Sequence, residues 1–161
     1  MNSFHAETLE LERINRSFMV LLPKKPGAVT VDAFRPICLQ NCSVKIASKS
    51  LTTRLQREIM LLVGPDQTGF LKGRSITENF VYALELVQVC HKRKAPALVV
   101  KLDFAKAFDT VSWDGLMRVM EVRGFPAHWR HWVLALLETS RTAVLVNGYP
   151  GPWITFKRGL R

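Results

Sequence analysis

The segment from Ala97 to Asp114 constrains the fold of this chain more than any other. Its first part alternates with a period of two, so a strand over Leu98–Asp103 would place aliphatic side chains on one face and Asp103 on the other. The pattern then changes, because Phe104 and Phe108 recur four residues apart, the spacing of one helical turn. We therefore predict a strand followed by a helical turn, with a carboxylate at their junction.

The carboxylate of Asp103 has two interpretations. Phosphoryl transfer requires oxygen ligands for hard cations such as Mg2+, held on rigid elements, and the end of a strand is such a place. An aspartate between a strand and a turn is more often a helix cap or a local hydrogen-bonding residue. The segment by itself leaves both interpretations open.

The whole chain is typical of one mixed domain. With 161 residues and 48% hydrophobic content it is long enough for a single core. Strand-like and helix-like patterns are both present, which predicts an α+β fold. The strand signals are Phe18–Leu22, the extended backbone around Pro36 and a hairpin at Asn147-Gly148 with a return strand over Trp153–Phe156. The helix signals are 7–16, 43–63, 76–91, 113–123 and a last helix that starts at Pro126 and includes Leu137.

The apolar runs of the chain are short. None approaches the roughly 18 residues of a membrane span, and the first residues lack the basic and apolar regions of a secretory signal. We therefore expect no membrane segment.

Positive charge is concentrated in the N-terminal half. The net charge is +10, and between Arg13 and Lys94 there are fourteen Lys or Arg against five Asp or Glu. Such an excess is typical of proteins that bind nucleic acid through its phosphates, although a solvated basic surface has the same composition.

Six ordered blocks of this sequence resemble the reverse transcriptases of non-LTR retrotransposons, the long interspersed element type, especially those abundant in plant genomes. The resemblance begins at about Asn15 and continues to the last residue. The blocks are Ser17–Gly27, Phe34–Leu39, Lys45–Lys49, Gln67–Ser75, Lys101–Asp109 and Phe156–Arg161.

This resemblance implies a right-hand polymerase fold with a fingers region and an incomplete palm. Residues 1–14 would be a lead-in and short helix, 15–96 a fingers-like region, and 97–161 the first part of the palm. The family resemblance also implies RNA-directed DNA synthesis with an RNA template, a DNA primer, deoxynucleoside triphosphates (dNTPs) and Mg2+, in the nucleus or cytoplasm.

The same resemblance implies roles for individual residues. Asp103 looks like the first catalytic carboxylate and a metal ligand. Phe104 sits where the family's backbone amide approaches the triphosphate, and Phe108 falls at an aromatic gate beneath the sugar. Arg35 and Lys45 resemble residues that contact the phosphates of the dNTP. The alternative for both phenylalanines is packing in the core.

One of the six blocks, Gln67–Ser75, resembles the part of these enzymes that tracks the template. Its matching residues are Gln67, Gly69, Phe70 and Arg74. We predict that these residues bind nucleic acid.

The chain also departs from the family pattern. It ends at Arg161, where the family continues with Gln-Gly-Asp-Pro and later with an aromatic-x-Asp-Asp box that supplies the other catalytic carboxylates. A single carboxylate cannot hold two metal ions, so we expect an incomplete metal site at Asp103 and no activity from this segment alone. The alternatives are a non-catalytic basic module that binds RNA or DNA, or an α+β domain that shares only ancestry with these enzymes.

Overall fold

A computed structural model describes residues 10–160 of the chain, and these residues contain both helices and strands. The predicted α+β class is therefore confirmed. The chain divides into two compact units, one comprising the residues up to Lys49 together with those from Lys106 onwards, the other Ser50–Ala105.

The bounds of the helices and strands are as follows. The helices are α1 (Leu11–Ile14), α2 (Cys42–Leu62), α3 (Ile76–Lys92), α4 (Ala107–Thr110), α5 (Trp113–Val122) and α6 (Ala127–Glu138), with a short 3-10 turn at Val31–Ala33. The strands are β1 (Arg16–Pro23), β2 (Phe34–Gln40), β3 (Arg141–Val146), β4 (Tyr149–Pro150) and β5 (Ile154–Thr155).

The first unit contains one sheet in the order β2-β1-β3-β4, with β5 also paired to β3. Strands β1 and β2 are antiparallel, with Pro23 opposite Phe34, whereas β1 and β3 are parallel, with Arg16 opposite Arg141. The predicted strand that ends at Pro23 and the extended backbone around Pro36 are both confirmed. Proline suits β2 because this strand lies at the edge of the sheet, where one missing N–H is tolerated.

Asn15 links the start of the parallel pair to the end of α6. Its side chain is fully buried, and its amide donates to the carbonyl of Leu136 at 2.7 Å and to the hydroxyl of Thr139 at 2.9 Å. Its own carbonyl accepts from the amide of Arg141 at 3.1 Å. Because buried polar groups are costly without partners, this network fixes where β1 begins relative to β3.

Two buried hydroxyl residues extend the polar contact between β1 and β3. The hydroxyl of Ser17 donates to the carbonyl of Arg141, and the hydroxyl of Thr142 donates to the carbonyl of Ser17, both at 3.3 Å. The interior of this sheet is therefore held partly by hydrogen bonds from side chains.

Helix α5 has the two ends, and helix α6 the beginning, that the sequence predicts. The hydroxyl of Ser112 accepts from the amide of Gly115 at 3.2 Å, and Gly124 ends the first helix in the left-handed conformation at φ +78°. Helix α6 begins directly after Pro126. The two helices contact each other, and an ion pair of 2.9 Å joins Arg130 to Glu121.

The hairpin predicted at Asn147-Gly148 is present. Both residues have positive φ, 51° and 83°, as a tight two-residue hairpin turn requires. The return strand differs from the prediction, because β4 follows the turn immediately at Tyr149–Pro150. A second segment, Ile154–Thr155, then pairs with the other end of β3, so the predicted return strand at 153–156 is shorter than expected.

Helix α2 shows the predicted amphipathic pattern. Val44 and Leu51 are buried on its apolar side, and the helix ends just before Gly64. The basic side chains of its other side, Lys45, Lys49, Arg54 and Arg57, are exposed.

The predicted strand at Leu98–Asp103 is wrong in this structure. Residues 95–104 have no regular secondary structure, and Leu98 is 88% exposed. A strand needs hydrogen bonds to a neighbouring strand, and none of the strands among residues 10–160 pairs with this segment. The alternation of apolar and polar residues indicates which side chains would share a face of a strand, but it does not show that a neighbouring strand is present.

The apolar side of α3 is also more exposed than the sequence indicates. Ile76, Phe80, Leu84 and Val87 were expected to point inward, yet all four are exposed. The cap at Ser75 is present, since its hydroxyl accepts from the amide of Thr77 at 3.2 Å. No helix in the described part of the chain is long and apolar enough to cross a membrane.

Replacing the buried Asn15 with alanine should destabilise the protein. The variant Asn15→Ala leaves the carbonyl of Leu136 and the hydroxyl of Thr139 without their donor, so we expect the free energy of unfolding to fall by about 2–3 kcal/mol. Urea denaturation measures this change. The control Thr139→Ser keeps the hydroxyl and should cost less than about 1 kcal/mol; an equally small loss in Asn15→Ala would contradict the prediction.

Candidate nucleotide and nucleic-acid site

The residues predicted to form the site are distributed over both units. The first unit contains the two phosphate-contact candidates and the predicted gate: Arg35, Lys45 and Phe108. The second unit contains the predicted carboxylate, its neighbour and the template block: Asp103, Phe104, Gln67, Gly69, Phe70 and Arg74.

Asp103 lies in the irregular segment that precedes α4. Its side chain is exposed, and Phe104 beside it is 76% exposed. The rigid strand that was expected to hold this carboxylate is absent, so the local backbone is not fixed by a ladder of hydrogen bonds. Between residues 10 and 160, no cluster of three or more His, Cys, Asp or Glu side chains could hold a metal ion. The described residues therefore do not fit Mg2+, which needs several oxygen ligands in octahedral geometry.

Phe108 lies on the single turn of α4. The helix begins at Ala107, later than the predicted spacing from Phe104 indicated, because Lys106 adopts the left-handed conformation at φ +52°. Phe108 is 58% exposed. This exposure disagrees with the alternative of a buried core residue, whereas the role as a gate stays a prediction.

The block at the end of the chain holds the turn that carries Phe108. The amide of Leu160 donates to the carbonyl of Phe108 at 2.7 Å, and the amide of Gly159 donates to the carbonyl of Val111 at 2.9 Å. The indole N–H of Trp113 donates to the carbonyl of Gly159 at 2.8 Å. The sequence did not predict these contacts, because they join residues far apart in the chain.

The backbone of this block lies so close to α4 that position 159 requires glycine. Gly159 has φ +88°, and a Cβ atom there would lie 2.9 Å from the carbonyl oxygen of Asp109. Any other residue would have to displace the backbone of α4 or leave it.

Arg35 and Lys45 are both exposed, on different elements. Arg35 lies in β2 opposite Leu22, so the stiff extended backbone expected around Pro36 is present. Lys45 lies in the first turn of α2. Both positive charges are open to solvent, as a phosphate contact requires.

The template block forms the loop between α2 and α3. Phe70 lies in this loop, is 91% exposed and has φ +64°, whereas Thr68 is buried. The side-chain amide of Gln67 donates to the carbonyl of Gly69 at 3.3 Å. The polar part of this block thus contacts its own backbone, and its aromatic side chain projects into solvent.

Arg74 contacts the loop itself. Its guanidinium donates to the carbonyls of Gly64, Gln67 (2.6 Å) and Val63 (3.3 Å). Asn79 in α3 also bonds to this loop, since its side-chain amide donates to the carbonyl of Asp66 at 2.7 Å. These contacts could not be predicted, because no sequence pattern identifies the backbone carbonyls to which an arginine will donate.

The family model described as reverse transcriptase (RNA-dependent DNA polymerase) matches residues 22–161. The chain belongs to the reverse transcriptase family. The resemblance stated from the six blocks is thereby confirmed, and the alternative of a non-catalytic basic module is not favoured.

Relatives of this reverse transcriptase chain are proteins of non-LTR retrotransposons. It is 25% identical to the transposon TX1 uncharacterized 149 kDa protein of Xenopus laevis, over 91% of this chain and 11% of that protein. It is 24% identical to the Pol polyprotein from the type-1 retrotransposable element R2 of Nasonia vitripennis, over 88% of this chain and 14% of that protein. For the type-2 element R2DM of Drosophila melanogaster the identity is 26%, over 88% of this chain and 13% of that protein. The chain thus spans a small part of the length of these relatives.

The exposure of Phe108 predicts a small effect of its removal on stability. In Phe108→Val we expect the free energy of unfolding to fall by less than about 1 kcal/mol, because little buried contact is lost. Met120→Ala, at a buried position of the same unit, is the comparison and should cost about 2–4 kcal/mol. Chemical denaturation of both variants checks this. A loss in Phe108→Val as large as in Met120→Ala would mean that Phe108 is a core residue.

Proposed function

We propose that this chain forms the fingers region and the first part of the palm of a non-LTR retrotransposon reverse transcriptase. The family match over residues 22–161 carries this proposal, and it is supported by the order of the six blocks. In this arrangement residues 15–96 are the fingers-like region and residues from 97 onwards belong to the palm. The reaction is RNA-directed DNA synthesis, with an RNA template, a DNA primer and dNTPs.

Asp103 is the proposed catalytic carboxylate. Members of this family generally use divalent metal ions, and a carboxylate is the ligand that Mg2+ prefers. Since the described residues provide no cluster of ligands around any metal position, we propose that this segment by itself does not bind Mg2+ tightly.

Phe104 and Phe108 are proposed to contact the dNTP. The backbone amide of Phe104 would approach the triphosphate, and the ring of Phe108 would lie beneath the sugar and exclude a 2′-hydroxyl. The support for this proposal is that both side chains are more than half exposed, which leaves them accessible to a substrate.

Arg35 and Lys45 are proposed to contact phosphate, within a wider basic surface that binds the nucleic acid. The net charge of +10 and the exposed basic side of α2 support this binding. Contacts with phosphate oxygens carry little sequence information, so we expect affinity with little sequence preference.

Salt titration tests the proposed phosphate contacts. The logarithm of the association constant for RNA or DNA should fall linearly with the logarithm of the salt concentration, because bound cations are released. Arg35→Ala and Lys45→Ala should each reduce the slope by about one. Arg118→Ala, an exposed basic position of α5 outside the six blocks, should leave the slope unchanged. A flat salt response in the original chain would contradict phosphate binding altogether.

Primer extension tests the proposed state of the carboxylate site. The purified chain should incorporate no nucleotides with Mg2+ or Mn2+, because Asp103 belongs to no cluster of three or more potential metal ligands among the described residues. The control is Asp103→Asn, which should be equally inactive. Template-directed incorporation that disappears in Asp103→Asn would show that other residues complete the site and would overturn this part of the proposal.

A further inference from the structure

The loop from Val63 to Ser75 is held by hydrogen bonds that end on its own carbonyl groups. Arg74 donates to three of them, those of Val63, Gly64 and Gln67. Asn79 donates to a fourth, that of Asp66. The loop has no helix or strand between α2 and α3. Its other bonds are weaker in geometry: the amides of Gln67 and Arg74 donate to the carbonyls of Gly64 and Leu71, and the side chain of Gln67 donates to the carbonyl of Gly69, all at 3.3 Å.

The charged guanidinium of Arg74 donates its hydrogen bonds to this loop. Two of its acceptors, the carbonyls of Val63 and Gly64, lie at the C-terminal end of α2, where the helix dipole favours a cation. Charge-assisted hydrogen bonds are the strong ones, and a guanidinium donates several of them in a planar fork. Moving the guanidinium of Arg74 away from the loop and onto a phosphate would therefore break these bonds to the loop.

Phe70 is the side chain that this loop presents. It is 91% exposed, and its backbone has φ +64°, a conformation that is unfavourable for a non-glycine residue. Such a conformation persists only where surrounding contacts hold it, and here the carbonyl of Gln67, three residues earlier, is bonded to Arg74 at 2.6 Å. An exposed aromatic ring on a fixed loop beside the basic Lys72 is the arrangement on which unpaired bases stack.

We propose that Arg74 is a positioning residue, which holds the loop so that Phe70 can stack on an unpaired base of the template strand, and that Arg74 itself does not contact phosphate. This inference rests on the proposed function, because it takes single-stranded nucleic acid as the ligand. It replaces the expectation from the sequence that Arg74 binds nucleic acid directly.

A double-mutant cycle tests this proposal. Binding of a fluorescein-labelled single-stranded RNA oligonucleotide is measured by anisotropy at several salt concentrations for Arg74→Ala, Phe70→Ala and the double variant. Each single variant should bind about tenfold more weakly, the loss of one stacked base, and the double variant should bind no more weakly than either. The salt slope of Arg74→Ala should equal that of the original chain.

Arg74→Lys separates the two roles while keeping the charge. An ammonium group is strongly hydrated and lacks the planar fork by which Arg74 donates from two nitrogens, so this variant should also lose affinity if Arg74 acts through the loop. A lysine that restores full affinity, a slope lowered by about 0.7 in Arg74→Ala, or losses that multiply in the double variant would each overturn the proposal.

Hydrogen exchange of the backbone amides gives a readout that needs no RNA. In Arg74→Ala, exchange should become faster over residues 64–74 and stay unchanged in β1 and β3. Unchanged exchange in the loop, or loss of protection throughout the chain, would contradict the positioning role. If the original chain binds no RNA, the proposed function fails, and the exchange experiment still decides whether Arg74 holds the loop.

Discussion

The parallel pairing of β1 with β3 is the constraint on which the first unit depends. It is the link between the antiparallel pair β1 and β2 on one side and the strands that pair with β3 on the other. Ser17 and Thr142, which bond across it, are 125 residues apart in sequence. Closing so long a loop is entropically costly, and the buried amide of Asn15 offsets part of this cost with its bonds to Leu136 and Thr139 at the end of α6.

Elements whose cause lies within a few residues could be predicted from the sequence. The caps at Ser75 and Ser112, the stop at Gly124 and the turn at Asn147-Gly148 depend on the backbone preferences of these residues. Their positions were therefore correct to within a residue or two. The strand predicted at 98–103 is absent, and local patterns could not show this, because a strand is stable only when a distant segment provides hydrogen bonds. The same reason applies to α3: its apolar pattern predicts a side that packs against something, but it does not identify the segment that would cover that side.

The candidate site was predictable as a set of residues and not as a set of contacts. The order of the blocks identified the family, which the comparison then confirmed. The order of the blocks did not show that Arg74 donates to three carbonyls or that the buried Asn15 is bonded to the end of α6. Nor did it show that position 159 has no room for a side chain. In each case at least one partner is a backbone carbonyl, and every residue type has one, so no residue pattern identifies it.

The hydrogen bond from Leu160 to the carbonyl of Phe108 has a mechanical consequence. A turn of four residues is too short to resist rotation by its own bonds, so its orientation is set by whatever it is tied to. A displacement of the backbone at Leu160 would therefore change the orientation of this turn, and with it the position of the ring of Phe108.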